Sequence, residues 1–362
     1  MPRVIGIDPG TVSLDLCGLD DGRVFLERSI PTAAALADPG LIVSLIEGVV
    51  PLDLVVGPSG YGLPVTAVRD LTETDLRLAC LSPRGEPGGI GGLVSLMRAL
   101  AHLAAPAVVT PGVVHLASVP AHRKVNRVDM GTADKVCAAA LAIHEQAARR
   151  GCRERDVSLI LLELGGAFTA AIAVEGGRIV DGLGGSSGPL GATSAGALDA
   201  EVAFLAERVT KEMVFSGGAL TIAGTPEAPM ETLVDAQAPR GRLAWDAYVE
   251  SAVKAVAVLA VSTPAAREVV LSGRLARVPR VRDVLAERLS VVHSRMSVSV
   301  LEGFGTMAKH AAQGAALLAD GLAGGRSADL VDRLGLRQAS GTALDHLYLV
   351  SPAVARARLG IS

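Results

Sequence analysis

The sequence predicts an α/β protein of two domains, and three observations lead to this prediction. The chain has 362 residues, which is longer than most single domains. Half of the residues are hydrophobic but only 2% are aromatic, so small aliphatic side chains must fill the core, as in closely packed α/β layers. The third observation is a pattern of strand, acidic residue, glycine turn and second strand. It occurs near the start of the chain and again after residue 157, which indicates a duplicated half.

The first copy of this pattern occupies residues 4–14. An apolar strand ends at Asp8, and Gly10 and Thr11 then form a tight turn into a second strand. Backbone N–H groups and a hydroxyl in such a turn can hold a phosphate, and Asp8 is a candidate metal ligand or catalytic carboxylate. Asp-Pro-Gly is also an ordinary turn sequence, so this interpretation depends on phosphate-binding partners elsewhere.

The next elements are short, and glycine-rich loops separate some of them. The loop Pro58–Pro64 follows an apolar strand, and ligands bind at this edge of open α/β sheets, so Ser59 and Gly60 are candidate substrate contacts. The second loop, Arg84–Gly92, is interpreted as a flexible connection. The elements expected in this part of the chain are strands at Arg23–Arg28, Leu52–Gly57, Val108–Thr110 and Val113–Leu116, and helices at Leu41–Val49 and Leu93–Leu103.

Residues 122–135 are unusually polar for this chain. An aspartate here could act as a general base on a hydroxyl acceptor or organise Mg²⁺, and a basic residue could neutralise a transferring phosphoryl group. The basic residues are too few to bind nucleic acid. The candidates in this stretch are the catalytic residues Arg127, Asp129 and Lys135 and the substrate contact Asn126.

Thr132 is a good N-cap for a helix over Ala133–Arg149. Asp134 and Lys135 could therefore either take part in catalysis or only cap and decorate the start of this helix. Both interpretations stay open at the level of sequence.

The second copy of the pattern begins with the apolar strand Ser158–Leu162. Gly165 and Gly166 form its turn, and with Thr169 they are candidate phosphate contacts. Glu163 stands at the end of the apolar strand, where an unpaired charge would be costly to bury. A metal ion or an arginine is therefore the expected partner of Glu163.

A third apolar strand, Glu268–Leu271, ends in a turn made by Ser272 and Gly273, followed by Arg274. Glycine suits all three turns, because a Cβ would hold phosphate oxygens or a nucleoside away from the backbone N–H groups. The remaining expectations are helices at 198–207, 244–259, 281–289 and 307–322, a strand at 298–301, and a polar helical tail.

The order of these three turns resembles the first phosphate, second phosphate and adenosine motifs of the sugar kinase/Hsp70/actin ATPase superfamily. The resemblance implies a duplicated actin-like, ribonuclease H-like fold with two domains around a nucleotide cleft. The domains expected are 1–155 and 156–325, with a C-terminal tail at 326–362. The resemblance also implies ATP and Mg²⁺ as cofactors. The residues assigned to ATP are Gly10, Thr11, Gly165, Gly166, Thr169, Ser272, Gly273 and Arg274, and those assigned to the metal are Asp8 and Glu163.

Within the superfamily the chain is most similar to the acetate/butyrate kinase branch, and to predicted butyrate kinase-like proteins of uncertain function (a DUF1464-like group). The similar segments are Leu164–Asp181, Gly188–Leu190, Ser194–Gly196, Leu301–Gly303, Met307–Ala308 and Gly314–Leu317. The resemblance implies ATP-dependent phosphorylation of a short-chain carboxylate and allows a homodimer.

Three departures from the acyl kinase pattern keep another function open. In the adenosine motif, Gly273 is followed by Arg274 instead of by a second glycine. Asp8 stands where acyl kinases usually carry asparagine, and Glu163 stands where they carry histidine. A non-kinase ATPase, activator or nucleotide sensor of the same fold is therefore the alternative. A RuvC-like nuclease shares the first motif, but those enzymes are shorter and lack the second and third motifs.

Charge and cysteine usage narrow the functional classes further. A net charge of -3 gives no electrostatic footprint for nucleic acid or an anionic membrane. The four cysteines show no CxxC spacing, which fits a reducing cytoplasm better than a disulfide framework or a zinc site. Met1 runs almost directly into a strand, so no signal peptide is expected.

Overall fold

Two β-sheets with helices on their faces make up the computed structural model, which describes residues 1–57, 59–82, 89–292 and 295–361. Pro58 and most of the glycine-rich connection Arg84–Gly92 lie outside the described residues. The strands are β1 (Arg3–Pro9), β2 (Ser13–Asp20), β3 (Arg23–Pro31), β4 (Leu54–Val56), β5 (Thr66–Ala67), β6 (Ala107–Val109), β7 (Leu159–Leu164), β8 (Thr169–Glu175), β9 (Arg178–Leu183), β10 (Glu268–Ser272) and β11 (Ser297–Val300).

The helices connect and cover these strands. They are α1 (Thr32–Ala37), α2 (Pro39–Glu47), α3 (Glu73–Cys80), α4 (Gly89–Leu100), α5 (Ala121–Lys124), α6 (Ala133–Arg150), α7 (Ala200–Leu205), α8 (Lys211–Val214), α9 (Ala219–Ala223), α10 (Pro239–Ala260), α11 (Pro279–Val292), α12 (His310–Leu322), α13 (Ala328–Leu334) and α14 (Pro352–Arg358). None of the helices in the described ranges is both long enough and apolar enough to cross a membrane.

The two sheets repeat one plan. The 6-stranded sheet has the order β3-β2-β1-β4-β6-β5, and the 5-stranded sheet has the order β11-β10-β7-β8-β9. In each sheet the first strand forms an antiparallel hairpin with the next strand, β1 with β2 and β7 with β8. On its other side it pairs in parallel with a later strand, β1 with β4 and β7 with β10. The predicted α/β fold with a duplicated half is confirmed.

α6 and α12 lie between the sheets and share one core with both. Val4 of β1, Leu159 of β7 and Ile172 of β8 belong to this core, together with the alanine-rich faces of the two helices. Gly6 permits the close approach of α12, because a Cβ there would lie only 2.6 Å from the carbonyl oxygen of Ala312. Small residues thus bring the two sheets to opposite sides of a thin helical layer.

The outer faces of the sheets bury separate cores, as alternation along a strand requires. Ile5 and Ile7 of β1 pack with helices α2 to α4, while Ile160 and Leu162 of β7 pack with α10 and α11. The chain therefore stacks helices, sheet, helices, sheet and helices.

Two details differ from the sequence-based expectations. Val113–His115 forms a 3₁₀ turn where a strand was expected, since the N–H of His115 donates to the carbonyl of Gly112 instead of to a neighbouring strand. The C-terminal tail was expected to be a polar helical segment, but it contributes apolar side chains to two cores. Leu330 and Leu334 enter the central core, and Ile361 enters the core of the first half. The domain limits at residues 155 and 325 stay predictions.

Candidate active site

A cavity of about 850 Å³ opens at the ends of the central strands of the two sheets, and both halves of the chain line it. The turns that the sequence singled out meet here: Gly10 and Thr11 after β1, Gly165 and Gly166 after β7, and the residues following β10. Each turn lies at the carboxyl end of a central strand, because each central strand runs toward the same cavity. The structure therefore brings all three glycine turns to one site.

The first two turns face each other across a narrow gap. A Cβ on Gly166 would lie 3.6 Å from Val12 Cγ2 and 3.7 Å from Thr11 Oγ1. The hydroxyl of Thr32 donates to the carbonyl oxygen of Gly10 at 2.6 Å and fixes the first turn. The gap between the turns is thus bordered by the side chains of Thr11 and Val12 on one side and by Gly166 on the other.

The third turn is held by its glycine. Gly273 has a φ of +86°, a left-handed conformation that favours glycine, and a Cβ there would collide with the backbone of Leu164. Arg274 Nε lies 2.5 Å from Glu231 Oε1 and so faces a carboxylate on the same side of the cavity. Within the described part of the chain, the buried Ser272 hydroxyl has no hydrogen-bond partner, which leaves it available to a ligand in the cavity that it lines.

A cluster of charges occupies the base of the cavity. Lys135 Nζ lies 2.6 Å from Asp134 Oδ2 and 2.6 Å from Glu163 Oε1. The Thr132 hydroxyl donates to the other oxygen of Asp134. Thr132 therefore begins α6 without capping it through its side chain, and Lys135 joins α6 to the end of β7.

The pKa values of the cluster reflect burial and proximity. Burial, reinforced by the nearby Asp134 carboxylate, raises the pKa of Asp8 to about 7. Burial also raises the pKa of Glu163, although Lys135 partly opposes this effect. The pKa of Asp134 is lowered, because Lys135 and Thr132 outweigh the effect of burial. Burial alone would lower the pKa of Lys135, but the two carboxylates raise it, so this side chain stays charged at neutral pH.

Lys309 lines the same cavity and was missed in the sequence. Its Nζ donates to the carbonyl oxygen of Ser13 at 2.8 Å and lies 3.4 Å from Asp15 Oδ2. The ammonium group lies directly beside Gly10, where a Cβ would collide with it. The one available signal was a lone lysine at the start of an alanine-rich helix, which does not by itself indicate a site.

Three further predicted residues line the cavity on the side of the first sheet. The Ser59 hydroxyl donates to the carbonyl oxygen of Thr110 at 2.8 Å, and Gly60 takes a left-handed φ of +55°. Asp129 Oδ2 accepts hydrogen bonds from the N–H and the hydroxyl of Ser186, both at 2.9 Å. These residues form one part of the cavity wall.

Three other predicted residues do not line the cavity. Asn126 Oδ1 accepts hydrogen bonds from the backbone N–H groups of Tyr348 and Leu349, at 2.7 and 2.9 Å, and so holds the C-terminal tail. Arg127 donates to the carbonyl oxygen of Ser187 at 3.0 Å. Thr169 is fully buried, and its hydroxyl donates to the Tyr248 hydroxyl at 3.3 Å. Their placement does not support the substrate, catalytic and phosphate contacts expected of them.

The carboxylates of the cavity suit a magnesium ion, which takes few protein ligands, better than a metal ion held entirely by protein side chains. Among the described residues, no group of three or more His, Cys, Asp or Glu side chains is arranged to hold a metal ion. Mg²⁺ is commonly held by one or two carboxylates, with phosphates and water completing its coordination. Asp8 in the cavity meets this requirement, whereas Glu163 is paired with Lys135 instead of with the predicted metal or arginine.

Solved structures share this architecture at low sequence identity. A propionate kinase from Francisella tularensis subsp. tularensis SCHU S4 aligns with a TM-score of 0.61 at 12% identity, over 87% of this chain and 99% of that one. An acetate kinase from Entamoeba histolytica aligns with a TM-score of 0.58 at 14% identity, over 80% and 87%. An acetate kinase from Porphyromonas gingivalis gives 0.57 at 14% identity, over 87% and 98%.

These alignments show the fold: the chain has the two-sheet, actin-like ATPase fold of these kinases, as the sequence predicted. The family follows from the sequence itself. The protein-family model described as "Protein of unknown function (DUF1464)" matches residues 6–349, and the chain belongs to that family. No curated protein matches the chain in sequence.

Proposed function

We propose that the protein is an ATP-dependent phosphotransferase that passes the γ-phosphoryl group of Mg-ATP to a small acceptor in this cavity. The observation that carries the proposal is the convergence of three glycine turns, from both sheets, on one cavity that also contains Asp8 and Lys135. Enzymes that transfer phosphoryl groups work mainly by positioning and by neutralising charge, and these features supply both.

In this proposal the two facing turns, at Gly10 and Gly166, bind the phosphates through backbone N–H groups. The turn at Gly273 lies against the nucleoside, and its glycine lets the turn pack closely on the backbone of Leu164. Asp8 would hold the magnesium ion, which neutralises phosphate charge when bound.

Lys135 supplies a permanent positive charge at the base of the cavity. The acceptor oxygen forms a bond to the γ-phosphorus as the bond to the β-phosphate oxygen breaks, and ADP leaves with that electron pair. Lys135 stabilises the charge on the transferring group, since its own pKa keeps it protonated at neutral pH.

A short-chain carboxylate is the acceptor that we propose, because the similar solved structures are named acetate and propionate kinases. The acceptor would lie on the wall formed by Ser59, Gly60 and Asp129, beside the apolar side chains of Cys80 and Leu93. All four cysteines are free, which is consistent with our proposal of a cytoplasmic location.

A non-kinase ATPase or nucleotide sensor of the same fold is the second candidate. Lys135 is already paired with two carboxylates, and Glu163 occupies the place of the acyl kinase histidine. An acceptor carboxylate would therefore meet more negative charge here than in the acyl kinase pattern.

The test measures release of ADP from Mg-ATP by the full-length protein with a panel of short acids and alcohols. Acid-dependent ADP release with trapping of an acyl phosphate by hydroxylamine supports the carboxylate kinase, and alcohol-dependent release supports a kinase with a different acceptor. ADP release that is independent of any acceptor supports the ATPase. Lys135→Met should abolish turnover, whereas Lys254→Met, an exposed lysine on α10, is the matched control. A protein whose thermal midpoint does not respond to Mg-ATP contradicts the proposal.

A further inference from the structure

We infer that Lys309 is a second phosphate-binding cation of the cavity and that Glu27, on the edge strand β3, is its positioning residue. The inference rests on the proposed function, since it assigns both residues to the binding of ATP. Neither residue belongs to the three glycine turns.

The position of the Lys309 ammonium is the first observation. It lies beside Gly10 in the first phosphate turn, and 40% of the side chain is exposed in the cavity. Its near partners are the carbonyl oxygen of Ser13 and the buried carboxylate of Asp15. An ammonium group has three donors, so it can keep these contacts and also donate to a phosphate oxygen above the turn.

The second observation is the way in which the preceding loop is held. Every backbone N–H from Glu302 to Ala308 donates to a side-chain oxygen instead of to another backbone group. Glu145 accepts from the first two residues of the loop and Gln313 from the next two. Glu27 accepts from the last three, which immediately precede Lys309.

The bonds to Glu27 fix the direction of the chain at Lys309. Its two carboxylate oxygens accept from the N–H groups of Thr306, Met307 and Ala308 at 2.9 to 3.1 Å and from the Thr306 hydroxyl at 3.1 Å. Although its partial burial would raise the pKa of Glu27, these backbone hydrogen bonds lower it, so the carboxylate is charged at neutral pH. A negative charge at this point also favours the N-terminus of α12.

The loop links the two halves of the fold. It leaves the second sheet after β11 and ends at α12, which packs on β1 of the first sheet. Glu27 ties the end of this loop to the first sheet, which also carries the Gly10 turn. Glu27 does not itself line the cavity. Its effect on ATP must therefore pass through the position of Lys309.

The experiment measures the affinities of the full-length protein for Mg-ATP, ADP and AMP by calorimetric titration. We expect Lys309→Met to weaken ATP binding about tenfold or more, the usual worth of a charge-assisted hydrogen bond, and to leave AMP binding unchanged. Lys309→Arg keeps the charge and should retain most of the ATP affinity. Lys254→Met removes an exposed lysine on α10 and is the matched control.

The role of Glu27 is tested by Glu27→Gln, alone and combined with Lys309→Met. The single variant should lower the ratio of ATP to AMP affinity, because its amide places N–H groups opposite backbone N–H donors. In the Lys309→Met background the same change should produce no further loss, since coupled residues are not additive. Glu250→Gln, an exposed glutamate on α10, is the control.

The outcomes separate the inference from the proposed function. A wild-type protein that binds ATP, with a Lys309→Met variant of unchanged ATP-to-AMP affinity ratio, overturns the role of Lys309 and leaves the proposed function standing. Equal losses from Glu27→Gln in both backgrounds overturn its positioning role. A wild-type protein that binds none of the three nucleotides overturns both. Thermal midpoints of all variants show which losses come from unfolding. If Lys309→Met fails to fold, Lys309→Gln removes the charge with a polar side chain and tests the same inference.

Discussion

The ammonium group of Lys135 lies 2.6 Å from a carboxylate oxygen of Glu163, and this ion pair joins the start of α6 to the end of β7. The same ammonium group lies 2.6 Å from Asp134. One cation thus serves two carboxylates at the base of the cavity, where all three side chains are largely buried. This ion pair explains why a glutamate can stand at the end of an apolar strand without binding a metal ion.

Replacing this lysine should destabilise the folded protein. Lys135→Met removes the partner of two buried carboxylates, and breaking a buried pair on one side costs about 3 kcal/mol or more of the free energy of unfolding. Urea denaturation at neutral pH measures the loss. The double variant Lys135→Met with Glu163→Gln should recover part of it, because one of the unpaired charges is then gone. An unchanged urea midpoint in Lys135→Met would contradict this account of the cluster.

Asp8 should make the stability of the ligand-free protein depend on pH. Its pKa is raised to about 7 in the folded protein from an ordinary value of 3.8, so the folded state binds a proton more tightly between these values. The stability linked to this proton is fully present below about pH 4 and is lost as pH rises through about 7.

Asp8→Asn mimics the protonated side chain and should therefore be more stable than the wild type at about pH 8, by at most about 4 kcal/mol. The difference should shrink toward zero near pH 4. Thermal unfolding of both proteins in a chelating buffer across this range measures it. A difference that stays constant with pH would show that Asp8 does not titrate as the geometry implies.

The features that sequence predicts well here are local ones. A hydrophobic run, an acidic residue and glycines at fixed offsets specify a strand and its turn, so Asp8, Gly10, Gly165 and Gly273 could all be assigned before the fold was known. Because β7 and β10 run parallel in one sheet, the second and third turns meet at one edge. The first turn belongs to the other sheet and reaches the same cavity through the packing of the two halves.

Contacts between distant segments could not be predicted in this way. Lys309 donates to Ser13 across 296 positions of sequence, and no local pattern signals that contact. The polar stretch before α6 was misleading for the opposite reason. Asn126 is polar because it holds the backbone of the C-terminal tail, and a sequence does not distinguish an internal hydrogen-bond partner from a ligand.

The adjacent glycines of the second turn should respond differently to alanine. A Cβ on Gly166 would meet only ordinary contacts, the nearest at 3.6 Å, so Gly166→Ala should fold with nearly wild-type stability. The methyl group would still lie in the gap between the turns, and ATP affinity should fall while AMP affinity does not. A Cβ on Gly165 would lie 2.6 Å from the carbonyl oxygen of Phe168, so Gly165→Ala should lose about 1–3 kcal/mol of stability.

Thermal unfolding and calorimetric titration of the two variants check this contrast. If Gly166→Ala bound ATP as tightly as the wild type, the gap between the turns would not be the phosphate site. Equal destabilisation by both substitutions would instead contradict the geometry of the turn itself.

Asn126 should act on the C-terminal tail and not on substrate. It takes a left-handed φ of +54°, and its side-chain oxygen accepts from the N–H groups of Tyr348 and Leu349. Asn126→Ala loses both hydrogen bonds and places alanine in an unfavourable conformation, for a cost of about 2 kcal/mol. Asn126→Gly relieves the backbone strain but still loses the acceptor.

Hydrogen exchange should therefore accelerate in residues 345–361 in both variants, and Asn126→Ala should be the less stable of the two. Asn126→Asp keeps the acceptor, so its tail should exchange as slowly as that of the wild type. Nucleotide and acceptor affinities should stay at wild-type values throughout. A weakened acceptor affinity with unchanged exchange in the tail would return Asn126 to the substrate site.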